Sequence, residues 1–215
     1  MGAGSGSLAK TADDLFAKSE PDMTVSHFTI EPQTAQDLDT IETMLDAAFG
    51  LDRRTRSSYR LREGEKPVED LSLVAREGDR LVGTVRFWPV IVGEGREALL
   101  LGPLAVHPDR RNCGIGVRLM ETALDKAREL GHGLVILVGD EPYYRRVGFA
   151  RVPDGRLLMP GPTDPDRMLY RELVPGALDG AEGLVLSPGR WRELDGGRLT
   201  APRDTMPARE AAAAR

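Results

Sequence analysis

From Val25 onward, apolar residues fall into short alternating stretches separated by glycine turns, and one long stretch then changes period. Val25, Phe28 and Ile30 predict a short first strand. Thr34 then caps a helix in which Leu38, Ile41, Leu45 and Ala48 recur at helical spacing. Residues 53–63 are polar apart from Tyr59 and Leu61, and predict a second short helix or a loop. Leu71, Leu73 and Ala75 alternate as a strand, and Glu77-Gly78-Asp79 turns it into the strand 81–92. A second turn at Gly93-Glu94-Gly95 leads into the apolar run 98–106. Three consecutive antiparallel strands are therefore expected.

After Val106 the period changes. Ile115, Leu119, Ala123, Ala127 and Leu130 form the apolar stripe of a helix, with Gly131 placed to end it. Residues 134–138 are uniformly apolar, as in a strand covered on both faces. Strand, helix and strand in this order make a parallel crossover unit. The expected fold is α/β, with a mixed sheet that is antiparallel first and parallel in the middle, flanked by helices.

The two ends differ from this. Residues 1–24 are small and polar and 192–215 end in an alanine run after Pro202 and Pro207, so a flexible leader and tail are expected around a domain at 25–191. The leader has no apolar core for secretion, and Met1-Gly2 lacks the Ser or Thr at position 6 that myristoylation requires. No stretch approaches the roughly 18 apolar residues of a membrane span. Net charge is −5, which disfavours a nucleic-acid partner, although Arg far outnumbers Lys. The single cysteine, Cys113, closes no intrachain bridge and suits a reducing, cytoplasmic setting. His27, His107 and His132 are too scattered for metal spacing, so no metal is expected.

Between the apolar run and the helix lies His107-Pro108-Asp109-Arg110-Arg111-Asn112-Cys113-Gly114-Ile115-Gly116. Glycines at a strand-to-helix turn bring backbone N–H groups close to a ligand. The first N–H groups of the helix lack intrahelical partners and sit at its positive end, which suits phosphate. A P-loop needs Gly-Lys-Ser/Thr, and no Gly-Lys occurs in this chain. A dinucleotide fingerprint needs a third glycine where Leu119 stands. What remains is Arg111-x-x-Gly114-x-Gly116.

On those residues the chain resembles the GNAT superfamily of acyl-CoA-dependent N-acetyltransferases. In that family a valine ends the fourth strand, here Val106, and Arg/Gln-x-x-Gly-x-Gly/Ala opens the following helix. A second signature puts a tyrosine before Gly-Phe, here Tyr144-Arg-Arg-Val-Gly148-Phe149. The run Val-Gly-Asp-Glu-Pro-Tyr-Tyr ending at Tyr144 is similar to the bacterial YhbS-type subgroup. The resemblance implies a sheet split between strands four and five, where acyl-CoA inserts. Leu104, Ala105 and Val106 would pair with the pantetheine arm. The amides of Arg111, Asn112, Cys113, Gly114, Ile115 and Gly116 would wrap the pyrophosphate, and Tyr144 would protonate the departing thiolate. Independently of the family, Gly102-Pro103 in mid-strand predicts a bulge.

The function this implies is acyl transfer, of acetyl or another acyl group, from acetyl-CoA or another acyl-CoA to an amine on a small molecule or protein. The alternatives are a noncatalytic acyl-CoA-binding module and transfer from a carrier protein; a homodimer is left open. For a general base, Glu42, Glu97, His107 and Asp140 are candidates by position, and none stands out. Cys113 reads as a spacer rather than a nucleophile. Arg53, Arg54, Arg56, Arg60 and Arg62 form a basic run that reads as a solvated face, with an acidic acceptor as the alternative.

Overall fold

The computed structural model describes residues 27–194. Val25, the leader expected over 1–24 and the tail beyond Leu194 lie outside that range. Strand β1 (Thr29–Pro32) is followed by helix α1 (Leu38–Phe49), the 3-10 turn Leu51–Thr55 and helix α2 (Ser57–Arg60). Thr34 does mark the helix start, in an altered form: its N–H and hydroxyl both donate to Asp37 Oδ2, at 2.8 and 2.9 Å, over a 3-10 turn that precedes α1. Next come β2 (Leu73–Glu77), β3 (Arg80–Val92) and β4 (Arg96–Val106), then α3 (Ile115–Glu129), β5 (Leu134–Val138) and α4 (Glu141–Tyr144). The remainder is β6 (Ala150–Arg151), β7 (Leu157–Leu158), β8 (Met168–Glu172), β9 (Gly183–Leu186) and α5 (Pro188–Glu193). Helix α5 thus runs past 191, the expected end of the domain.

Strands β2, β3 and β4 pair antiparallel in sequence order, as the hairpin turns predicted, and β1 adds to the outer edge of β2, also antiparallel. Strand β5 then joins β4 in parallel, and β8 and β6 extend the sheet beyond it. Helix α3 covers one face. Of its expected stripe, Ile115, Leu119, Ala123 and Ala127 are buried with Val85 and Phe87 in the largest core cluster, whereas Leu130, just past the end of α3, is exposed. On the other face Ile41, Met44 and Leu45 of α1 pack on Val74, Leu81 and Ala105. Each large aliphatic sealed this way contributes about 1.5–3 kcal/mol relative to leaving it in water.

Two irregularities open this framework. Val85 faces Leu104 and Phe87 faces Leu101, so Gly102 and Pro103 stand together opposite Arg86 alone. That is the bulge the mid-strand Gly-Pro predicted. Pairing between β4 and β5 is confined to Leu99 with Val135 and Leu100 with Ile136. Beyond it Leu137 and Val138 pair only with β8, and Leu104, Ala105 and Val106 pair only with β3. The two strands splay apart, and one edge of the end of β4 keeps unpaired backbone groups.

Candidate active site

The splay leaves a cavity of about 340 Å³ between the free end of β4, the first turn of α3 and the tyrosines of α4. Of the nine residues expected to hold acyl-CoA, all but Cys113 line it. Asn112 at φ +64° and Gly114 at φ +78° fold the loop into a left-handed kink. Only glycine takes such a backbone without strain, with Asn next best. The kink turns the exposed Cys113 thiol onto a neighbouring depression with Phe28 and Ile30.

The loop fits an anion. Helix α3 makes its first intrahelical bond from Arg118 N–H to Gly114 O, at 3.0 Å. The N–H groups of Ile115, Gly116 and Val117 therefore have no helical acceptor. Nothing lies within 4 Å of where a Cβ on Gly114 would stand, so a ligand can reach its backbone. Arg110 is paired with Glu77 at 2.7 Å. Arg111 is exposed at the rim. Arg146, which the sequence reading passed over, also lines the cavity, with its guanidinium 5.9 Å from the Tyr143 ring centroid. Its position just after the tyrosine pair was the available signal.

Tyr144 and Tyr143 are half-buried and meet edge to face, with ring centroids 5.2 Å apart. Gly139 makes room for Tyr144: a Cβ there would fall 2.3 Å from Tyr144 Cε2. Burial pushes the Tyr144 hydroxyl well above its ordinary value of 10, and the neighbouring Tyr143 and Asp140 push the same way. The phenol thus stays protonated across the physiological range. Phe49 and Ala48 at the end of α1 close the opposite wall, which hydrophobic spacing alone did not assign to a site.

A model of the acetyltransferase (GNAT) family matches residues 38–150, the span from α1 to the start of β6. The chain belongs to the GNAT acetyltransferase family. Among GNAT relatives, the uncharacterized N-acetyltransferase YhbS of Escherichia coli K12 is 34% identical over 157 residues, 67% of this chain and 92% of YhbS. YjhQ, a second uncharacterized N-acetyltransferase of that organism, is 35% identical over 130 residues, 59% of this chain and 72% of YjhQ. The crystal structure of E. coli YhbS in complex with CoA superposes with a TM-score of 0.65 at 28% identity, over 77% of this chain and 92% of that one. A GNAT acetyltransferase from Staphylococcus aureus Mu50 shares the fold, with a TM-score of 0.51 at 18% identity over 69% of this chain and all of that one.

The base candidates fare unevenly in this GNAT domain. Glu42 is held by Arg53, Arg54 and Arg86. Burial would raise its carboxyl, but those hydrogen bonds and charges outweigh burial and hold it below the ordinary range. It is a poor base. Glu97 faces Ile91 in the distal hairpin, far along β4 from the splayed end. His107 is engaged by Asp109 and Arg80. Asp140 precedes α4 and pairs with Arg167 at 3.2 Å.

Proposed function

We propose that this GNAT enzyme moves an acetyl group from acetyl-CoA to an amine. The observation that carries the reading is the splay itself: a strand edge with free backbone groups runs straight into an unpartnered helix N-terminus. An extended amide-containing arm ending in phosphates matches that pairing of sites, and the relative YhbS was solved with CoA. Acetyl-CoA supplies the activated acetyl thioester. The free edge at Leu104, Ala105 and Val106 aligns the arm as an added strand would be aligned. The N–H groups from Arg111 to Gly116 receive the phosphates, and Arg111 and Arg146 offset their charge.

Direct attack fits best. The neutral amine forms the new C–N bond as the C–S bond breaks, and a backbone N–H near Val106 polarises the carbonyl. Tyr144 gives its proton to the departing sulfur, and the amine loses its own proton to water. A buried phenol is a weaker acid than a free one. A thiolate forming in the same poorly solvated place is a stronger base, so the match between the two survives burial. Calorimetric titration with CoA, followed by thiol release from acetyl-CoA across an unbiased amine panel, tests the proposal. Micromolar binding with acceptor-dependent release is the expected result; CoA binding without release would favour a noncatalytic module.

A further inference from the structure

The basic run that reads as a solvated face divides in two: Arg54, Arg56 and Arg60 are exposed as expected, whereas Arg53 and Arg62 turn inward. Arg53 has only 2% of its side chain exposed and is fully engaged, donating to Glu42 Oε2 at 2.5 Å, Asp46 Oδ1 at 2.6 Å and the Tyr59 hydroxyl at 2.6 Å. Arg62 is different. Its Nε and Nη1 are shut off from solvent and have no hydrogen-bond partner among the described residues. Its guanidinium carbon stands 4.4 Å from the centroid of the Tyr59 ring and 5.8 Å from that of Trp88.

The neighbouring strand has the same peculiarity. Thr84, Arg86 and Trp88 occupy alternate positions on β3, and so share one face. Each carries a sealed polar atom without a partner among the described residues: Thr84 Oγ1, Arg86 Nη2 and Trp88 Nε1. Native structures leave few buried donors unmatched, yet here they are gathered in one place. The charges do not balance either. Arg53 and Arg86 share Glu42, and Asp46 answers Arg53, which leaves Arg62 unanswered. Burial, with the charges of Arg53 and Arg86, outweighs the opposing pull of the Tyr59 hydroxyl and pushes Arg62 down to about 10, so it is still a cation at neutral pH.

The position of the cluster is informative. Arg86 is the residue opposite the Gly102-Pro103 bulge, and Arg62 Nη2 lies 3.2 Å from where a Cβ on Gly102 would stand. The unmatched donors on β3 therefore lie opposite Leu100 to Ala105, the stretch over which β4 parts from β5, and Arg62 reaches the same stretch at Gly102. We propose that Arg62, with Arg86 and Trp88, binds a carboxylate carried by one of the two reactants at the acyl end of the slot. One unmatched positive charge suits a monoanion, and an indole N–H with guanidinium N–H groups suits carboxylate oxygens. The carboxylate belongs either to the amine acceptor or to the acyl group itself. This inference rests on the acyl-transfer reading of the slot.

Calorimetry with CoA comes first, because absent CoA binding removes the acyl-transfer reading, whereas the comparisons below address the carboxylate alone. Thiol release from acetyl-CoA is compared for amino acids against their carboxamides and decarboxylated amines. A second arm compares succinyl-CoA with acetyl-CoA on one amine. The carboxylate form is expected to gain roughly 10- to 100-fold in kcat/KM in one arm, the worth of a hydrogen bond to a charged group. The arm that responds names the source. Arg62→Met is expected to erase the preference and leave CoA affinity unchanged. Should Arg62→Met not fold, Arg62→Lys carries the same comparison and must show a reduced preference. If no amine turns over, CoA-loaded protein is titrated with acetate and succinate while tryptophan fluorescence is followed. A saturable change that Arg62→Met and Trp88→Phe both lose supports the proposal. Equal rates in both arms, a preference that survives in the Arg62 variants, or no fluorescence change overturns it.

Discussion

Tyr143 holds its hydroxyl where a side chain at Gly116 would stand: a Cβ there would fall 2.2 Å from Tyr143 Oη. The second glycine of the loop therefore does two things, leaving the first turn of α3 open and letting a cavity-lining tyrosine lie across it. Gly116→Val is expected to push Tyr143 aside and weaken CoA at least tenfold by calorimetry, about 1.4 kcal/mol or more. Gly114→Ala meets no atom within 4 Å but holds φ +78°. Its cost is backbone strain of about 1–2 kcal/mol, read as a lower Tm. A Gly116→Val protein with wild-type CoA affinity would remove the loop from the binding site.

Tyr144→Phe keeps the ring and removes the hydroxyl. As the proton donor, its loss should lower kcat by roughly 10²-fold with CoA affinity intact. The pH profile adds a second test. A phenol pushed above its ordinary value of 10 by burial remains protonated as pH passes 10. The rate should therefore not fall near pH 10 through loss of the Tyr144 proton, and a fall there that Tyr144→Phe abolishes would show the burial argument to be wrong. Turnover within about twofold of wild type, where chemistry limits the rate, would take Tyr144 out of the mechanism.

The framework around this site was legible because its signals are local. The stripe from Ile115 to Ala127, the Gly78 and Gly93–Gly95 turns and the Gly102-Pro103 bulge each follow from a few neighbouring residues. The stretch from Ala150 to Leu186 was not legible. Its strands β6 and β7 have two residues each, too short for any period, and β9 finds its place through pairs such as Ile91 with Leu186. The nine residues proposed for the acyl slot were readable from the motif and its place in the fold, yet the direction of Cys113 depends on two left-handed backbone angles that composition does not show. Most misleading were the arginines. A run rich in Arg reads as solvated, which holds for Arg54, Arg56 and Arg60, but Glu42 and Asp46 of α1 draw Arg53 inward and the rings of Tyr59 and Trp88 cover Arg62.

Acid should weaken the fold through two carboxylates. Burial would raise Asp37, but hydrogen bonds from Thr34 and Arg76 outweigh it and leave it below its ordinary 3.8; Glu42 is likewise held below 4.5. A carboxyl depressed in the folded state contributes stability that is present above the ordinary value and lost as pH falls through the folded one. Stability from these groups should hold at pH 6 and decline from about pH 4.5 downward. Glu42→Gln, measured by Tm across that window, should lie furthest below wild type near neutrality and converge with it in acid. Parallel curves would show that Glu42 is not an acid-labile contact.

Arg53 and Arg62 belong to one basic run but should respond oppositely when the charge is removed. Arg53 ties α1 to the turn after it, with Glu42, Asp46 and Tyr59 all accepting from it. Arg53→Met leaves two carboxylates and a hydroxyl without their donor. Breaking a fully buried pair costs about 3–5 kcal/mol, but these carboxylates can recruit water, so about 2–3 kcal/mol is the better expectation. Glu42 and Asp46 are indeed 38% and 35% exposed. For a chain of this size each kcal/mol moves Tm by roughly 2–4 °C, so Arg53→Met should melt several degrees lower. Arg53→Lys should recover little, because one ammonium cannot reach three acceptors that a planar fork spans. Arg62→Met removes a cation that no carboxylate among the described residues answers, so its Tm should hold or rise, offset by the lost contacts with the Tyr59 and Trp88 rings. Equal losses in the two Met variants would mean that Arg62 is held as firmly as Arg53, and the distinction between an engaged and a waiting arginine would fall.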